Sequence, residues 1–85
     1  ITVVGRDMEG IIARVSGILY NRHVNILDIS QTVLSDMFAM VLLADISKLS
    51  IDFTALSREL DELGVSLGLK IHTMQEDIFN SMHRI

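Results

Sequence analysis

Thr2, Val3 and Val4 form a β-rich apolar run. It turns, past Gly5 and Gly10, into a helical stripe beginning at Ile11 and Ile12. No other stretch constrains the fold as much. A strand that gives way so sharply to a helix leaves backbone N–H groups unpaired at the helix N-terminus. Those groups and the positive end of the helix dipole favour an anion or a carboxylate. Gly10 has no Cβ, so a ligand or another backbone could approach it closely. The plainer reading is that both glycines serve turns and packing only, which is common at such joints.

The rest of the chain follows from hydrophobic periodicity. Residues 1–4 read as a buried strand that is already under way at Ile1, which leaves room for a few residues before it. Ile11, Ile12, Val15, Ile18 and Leu19 recur at helical spacing, so the first helix is expected over residues 9–21. Asp7 suits its N-cap and Glu9 its first turn. No glycine marks its end. His23 is therefore expected at C′ with positive φ, which His tolerates better than most residues.

A second strand is expected over residues 24–34, with Leu27, Ile29 and Val33 on one face and Asp28, Ser30 and Thr32 on the other. Ser35 and Asp36 make a tight hairpin. Residues 37–44 are apolar without alternation, which predicts a strand buried on both faces. Ser50 or Asp52 caps a second helix carrying Phe53, Leu56, Leu60, Leu63 and Leu67. Gly64 inside it implies close packing on the sheet, and Gly68 ends it. Residues 69–74 alternate as a fourth strand. Ile78, Phe79, Met82 and Ile85 fall on one stripe of a tail helix at about residues 75–83, which must dock on something.

The order is β-α-β-β-α-β plus a tail. Right-handed crossovers place both helices on one face of a four-stranded antiparallel sheet, an α+β, ferredoxin-like sandwich. The first and third strands are expected at the centre. Residues 1–85 read as one domain, since 85 residues suffice for one core and nothing marks a boundary.

Composition removes several functions. The net charge is -4 and the five Arg and two Lys are scattered, so a nucleic-acid partner is not expected. The absence of cysteine removes disulfides, thiolate metal sites and cysteine nucleophiles, and suits a cytoplasmic domain. No apolar run is long enough to cross a bilayer, so no membrane partner is expected. His23, His72 and His83 lack ligand spacing, so neither a metal nor a cofactor is expected. No serine has an adjacent base or elbow glycines, which argues against acyl-enzyme chemistry. The five methionines read as core and interface filler.

The turn from Gly5 through Arg6, Asp7, Met8, Glu9 and Gly10 to Ile11 and Ile12 is followed, one helix later, by Val24, Asn25, Ile26, Leu27, Asp28 and Ile29. In this it resembles the ACT domain. The ending from Gln75 to Ile85 resembles a narrower group, small stand-alone ACT proteins of bacteria and archaea. The resemblance implies a regulatory, non-enzymatic module that binds an amino acid or related small molecule between two domains. It implies Asp7, Met8, Glu9, Gly10 and Ile11 as one wall of the site. Asn25, Ile26 and Leu27 form the other, often contributed by the neighbour. A stand-alone copy has no attached domain to regulate, so it acts through an unidentified partner protein or has lost its ligand.

Each candidate also has a plainer role. The Asn25 amide suits both the amino and the carboxylate group of an amino acid, or else ties the turn to the backbone. Asp7 suits a ligand ammonium, although the N-cap reading is favoured. Arg6 suits a carboxylate, although a solvated loop arginine is commoner. Two other functions compete: a ligand-free dimerisation or protein-interaction module, and an acyl phosphate hydrolase using Arg6 or Arg14 for phosphate and Asn25 for water. The second is weak, because the turn lacks a dense glycine cradle. A homodimer is expected, with the apolar sheet face and the tail stripe buried, unless the tail folds over its own sheet.

Overall fold

The first strand, β1 (Thr2–Arg6), runs up the middle of a four-stranded antiparallel sheet of order β2-β3-β1-β4. The computed structural model describes residues 1–6 and 9–75. The other elements are α1 (Ile11–Asn21), β2 (Asn25–Leu34), β3 (Met37–Asp45), α2 (Phe53–Leu67) and β4 (Leu69–His72). The order is β-α-β-β-α-β with β1 and β3 central, the ferredoxin-like arrangement.

Both helices bury one stripe each on the same side of the sheet. Ile11, Val15 and Leu19 of α1 and Leu56 and Leu60 of α2 meet Val3, Phe38, Met40, Leu42, Leu69 and Ile71 in a single core. Gly64 lies where α2 touches the sheet. A Cβ there would stand 2.9 Å from the Leu69 carbonyl oxygen and 3.2 Å from Ile71 Cγ1. Its place inside the helix is a close approach of helix to strand, as expected.

Among the described residues, no side chain caps the N-terminus of either helix. His23 takes φ 62° just past α1. The His23 N–H donates to the Tyr20 carbonyl at 3.2 Å and the Val24 N–H to the Leu19 carbonyl at 2.9 Å. These two bonds make a Schellman motif, and His23 fills the position usually held by glycine. Gly68, at φ 72°, ends α2 as expected. Asp52 is the α2 N-cap by backbone conformation. Arg22 braces the two helices. Its Nε and Nη2 donate to Glu59 Oε1 and Oε2 at 3.0 and 3.1 Å.

Several expectations are corrected. β1 runs on through Gly5 and Arg6, because Gly5 pairs with both Phe38 and Leu69 and Arg6 with Met37. α1 begins at Ile11 with Gly10 at its N-cap, so neither Asp7 nor Glu9 holds the capping or first-turn role expected of it. The reason is Gly10, whose φ of 83° turns the chain just before Ile11 enters the core. β3 is not buried on both faces. Phe38, Met40 and Leu42 are buried, whereas Met37, Ala39, Val41 and Leu43 face away from the helices and are exposed. β4 stops at His72, opposite Thr2, so residues 73 and 74 lie beyond the ladder. The tail helix expected at residues 75–83 falls almost wholly outside the described residues.

The β2–β3 hairpin turns at Ser35 and Asp36 as expected, with Ser35 at φ 59°. It carries a bulge: Ile26 pairs with Ala44 and Asp28 with Leu43, which leaves Leu27 as the extra residue. Without the bulge, Ile26 and Ile29 would face opposite sides, since strand side chains alternate. With it, Ile26 beside Ala44 and Ile29 beside Leu42 both face the helix layer. Ile26 packs against the core.

Candidate functional site

Among the described residues, no side chain caps the turn before α1. The first helical bond runs from the Arg14 N–H to the Gly10 carbonyl at 2.9 Å. The N–H groups of Ile11, Ile12 and Ala13 therefore precede the helical ladder and point out of the helix end. Among the described residues, a Cβ built on Gly10 meets nothing within 4 Å. Glu9 and Gly10 are exposed. Asp7 and Met8 lie outside the described residues. Ile11 is only 2% exposed and belongs to the core, so at the surface it offers its backbone rather than its side chain. Ile12, next to it, is apolar and 39% exposed. Strict helical counting places Ile12 on the same stripe as Ile11, which is why it did not stand out.

The other wall sits elsewhere. Asn25 is exposed at the start of β2, Ile26 is half-buried, and Leu27 stands 57% exposed in the bulge. α1 separates Gly10 from Asn25, and its eleven residues span about 16 Å at 1.5 Å per residue. The sheet register agrees: Arg6 pairs with Met37 at one end of β3, and Asn25 pairs with Asp45 at the other. One chain thus holds the two walls at opposite ends of its sheet and does not bring them together.

The register also sets Asp45 beside Asn25, a neighbour the sequence analysis missed. Counting outwards from the Ser35–Asp36 turn pairs Asn25 with Ile46; the Leu27 bulge shifts the partner to Asp45. Asp45 Oδ1 accepts the Ser47 N–H at 2.9 Å, which holds its carboxyl below the usual carboxylate range. Asp45 is therefore an anion at neutral pH, placed where a ligand ammonium at Asn25 would find it.

Charges at the turn end are sparse. Arg6 Nε lies 3.6 Å from Asp36 Oδ2, a contact between two well-exposed side chains. Arg14 is exposed one turn into α1. Neither arginine is near Asn25, so the constellation expected for acyl phosphate hydrolysis is not assembled within the chain. Among the described residues no three metal-ligating side chains come together. An open groove of about 340 Å³ lies away from both walls, between α2 and β4, lined by Thr54, Ser57, Arg58, Asp61 and His72 among others.

The sequence profile of the ACT domain matches residues 1–74. The chain belongs to the ACT domain family. It is 46% identical over its whole length to a UPF0237 protein of Methanocaldococcus jannaschii, of which it spans 94%. It is 51% identical to a UPF0237 protein of Clostridium perfringens, of which it spans 96%. Among solved structures, an ACT domain protein from Streptococcus pneumoniae superposes with a TM-score of 0.78 at 43% identity, covering 96% of this chain and 92% of that one. A protein named for transcriptional repression of the glycine cleavage system superposes with a TM-score of 0.68 at 25% identity. There the match covers 89% of this chain and 45% of the other. Membership makes this ACT domain, in general terms, a small-molecule-binding regulatory module, and points away from catalysis.

Proposed function

We propose that this ACT domain senses a free amino acid as a homodimer in the cytoplasm. Each site lies between the α1 turn of one copy and the β2 start of the other. One observation carries the reading: the two candidate walls sit at opposite ends of the sheet, and among the described residues no strand pairs with the outer edge of β2. If two copies pair along that edge about a two-fold axis, their β2 strands run antiparallel. The start of one β2 then lies against the end of the other, at the sheet end that carries the α1 turn. The site needs the second copy for its second wall.

The chemistry suits a zwitterion. The α1 N–H groups and helix dipole take the carboxylate. Asn25 of the partner subunit, beside an ionised Asp45, takes the ammonium. Ile12, with Ile26 and Leu27 of the partner subunit, supplies apolar surface for the side chain. Asp7, Met8 and Glu9 border the same turn. The relative named for regulating glycine cleavage fits a module that reads an amino acid and passes the signal to another protein.

A thermal-shift screen against the proteinogenic amino acids tests this, because a ligand that binds only the folded state raises Tm. At least one amino acid is expected to do so. Asn25→Ala should weaken that ligand about tenfold, the loss of roughly one hydrogen bond to a charged group. Its unliganded Tm should stay near that of the wild type. If no amino acid shifts Tm, a ligand-free dimerisation module takes precedence. The exposed Leu27, Val33 and Leu34 on β2 favour that second reading.

A further inference from the structure

β4 is the edge of the sheet opposite β2, and among the described residues no strand pairs with its outer side. The ladder fixes which of its backbone groups face outwards. The Leu42 N–H donates to the Ile1 carbonyl at 2.7 Å and the Ile1 nitrogen to the Leu42 carbonyl at 2.8 Å, so Ile1 points its backbone groups at β3. Thr2 and Val4 then point theirs at β4, where His72 and Lys70 face them. Leu69 and Ile71 therefore direct their N–H and C=O away from the sheet. α2 crowds the edge at Leu69, whose carbonyl oxygen would stand 2.9 Å from a Cβ on Gly64. Along the N-terminal half of α2 the edge is open. The groove of about 340 Å³ runs there, with Thr54, Ser57, Arg58 and Asp61 on one side and Ile71 and Thr73 on the other.

We infer that this groove takes an extended segment of a partner protein, which adds to β4 as a fifth strand and lays alternate side chains against α2. The inference does not rest on the amino-acid reading, and it leaves the β2 edge to the second copy. Three features favour this occupant. The first is hydrogen bonding: Ile71 turns its N–H and C=O to the groove side of the strand, and the main chain of an extended segment matches them. The second is size. From Thr54 to Asp61 the helix rises about 10 Å, the length of three extended residues. The third is charge. Arg58 and Asp61 lie about one turn apart on the α2 wall, beside the Thr54 and Ser57 hydroxyls. This wall selects a polar segment with an acidic residue for Arg58 and a basic one for Asp61. The two must be two positions apart, because only every second side chain of a strand faces one wall.

Phage-displayed random heptapeptides selected on the full chain test this. The selected peptides are expected to carry an acidic and a basic residue two apart and to bind, as synthetic peptides, with micromolar Kd. Binding should slow amide hydrogen exchange at Ile71 by about tenfold or more, while Lys70, already in the β1 ladder, changes little. Arg58→Glu should weaken the peptide by about fivefold or more, and replacing the peptide's acidic residue with lysine should restore it. Ser57→Trp fills the groove and should abolish binding; if it does not fold by circular dichroism, Thr54→Trp closes the same groove. A selection that yields no binder, an Ile71 amide that exchanges equally in the free and bound chain, or an affinity indifferent to these substitutions would overturn the proposal. So would an Ile71 amide already protected in the free chain. Protection lost on dilution would assign the edge to a second copy, and protection independent of concentration would assign it to another element of the chain.

Discussion

His23 shows what one residue can decide. It holds φ 62° where glycine is usual, and its side chain is exposed. Glycine would remove the left-handed strain but enlarge the unfolded ensemble. His23→Gly should therefore lie between neutral and about 1 kcal/mol stabilising in urea unfolding. Two other glycines should respond in opposite directions. Gly17→Ala, where a Cβ meets nothing within 4 Å among the described residues, should stabilise by about 0.5–1 kcal/mol through helix propensity. Gly64→Ala has the same propensity gain but pushes a methyl against the Leu69 carbonyl, so it should destabilise by about 1–3 kcal/mol. Equal signs at the two positions would refute the packing account of Gly64. Gly10→Val is a poor probe of the ligand site, because a β-branched residue at φ 83° perturbs the fold as well.

Among elements, α1 and α2 touch little directly, and the Arg22–Glu59 pair is their visible brace. The Ser50 N–H adds a bond to the Arg22 carbonyl at 3.0 Å, tying the β3–α2 connection to the same point. The side-chain bond from Arg22 holds the Glu59 carboxyl below the usual carboxylate range. A carboxyl depressed in the folded state contributes stability above its unfolded pKa and loses it as pH falls through the folded value. Glu59→Gln should thus lower Tm by a few degrees at neutral pH. The gap to the wild type should close below pH 4, and salt should narrow it, since both side chains are about a third exposed. A gap independent of pH would point to packing rather than charge.

For the whole molecule, the decisive question is the β2 edge. It is the longest strand, and only Ile26 in it is half-buried; the rest is exposed. Leu42 exchanges hydrogen bonds with Ile1 of the β1 side, so Val41 points its N–H and C=O at β2, Ser30 opposite it points back at β3, and the N–H of Gln31 faces the outer edge. Gln31→Pro removes that edge N–H, so pairing with a second copy should fail while the β3 ladder stands. Sedimentation should show a dimer for the wild type at micromolar concentration and a monomer for Gln31→Pro. Loss of the amino-acid Tm shift in the same variant would tie ligand binding to assembly. A Gln31→Pro protein that remains dimeric would move the interface elsewhere.

The sequence by itself determined the element order, the central strands, the buried stripes of both helices apart from the exposed Ile12, and the ends at His23 and Gly68. All of these follow from local periodicity and backbone preference, which nearby residues encode. It also carried the resemblance through which the family could be named. What only the tertiary structure decided concerns pairing. Gly5 and Arg6 read as turn residues but are strand, because Phe38, Met37 and Leu69 lie beside them. Residues 37–44 read as buried on both sides, yet apolar sequence reports the need for cover and not what provides it. The Leu27 bulge sets Asp45 against Asn25, a one-residue shift that no local pattern reveals. The two candidate walls look adjacent in sequence order, but a helix of eleven residues carries them to opposite ends of the sheet. Distance across a fold depends on how elements stack, and spacing along the chain does not contain it.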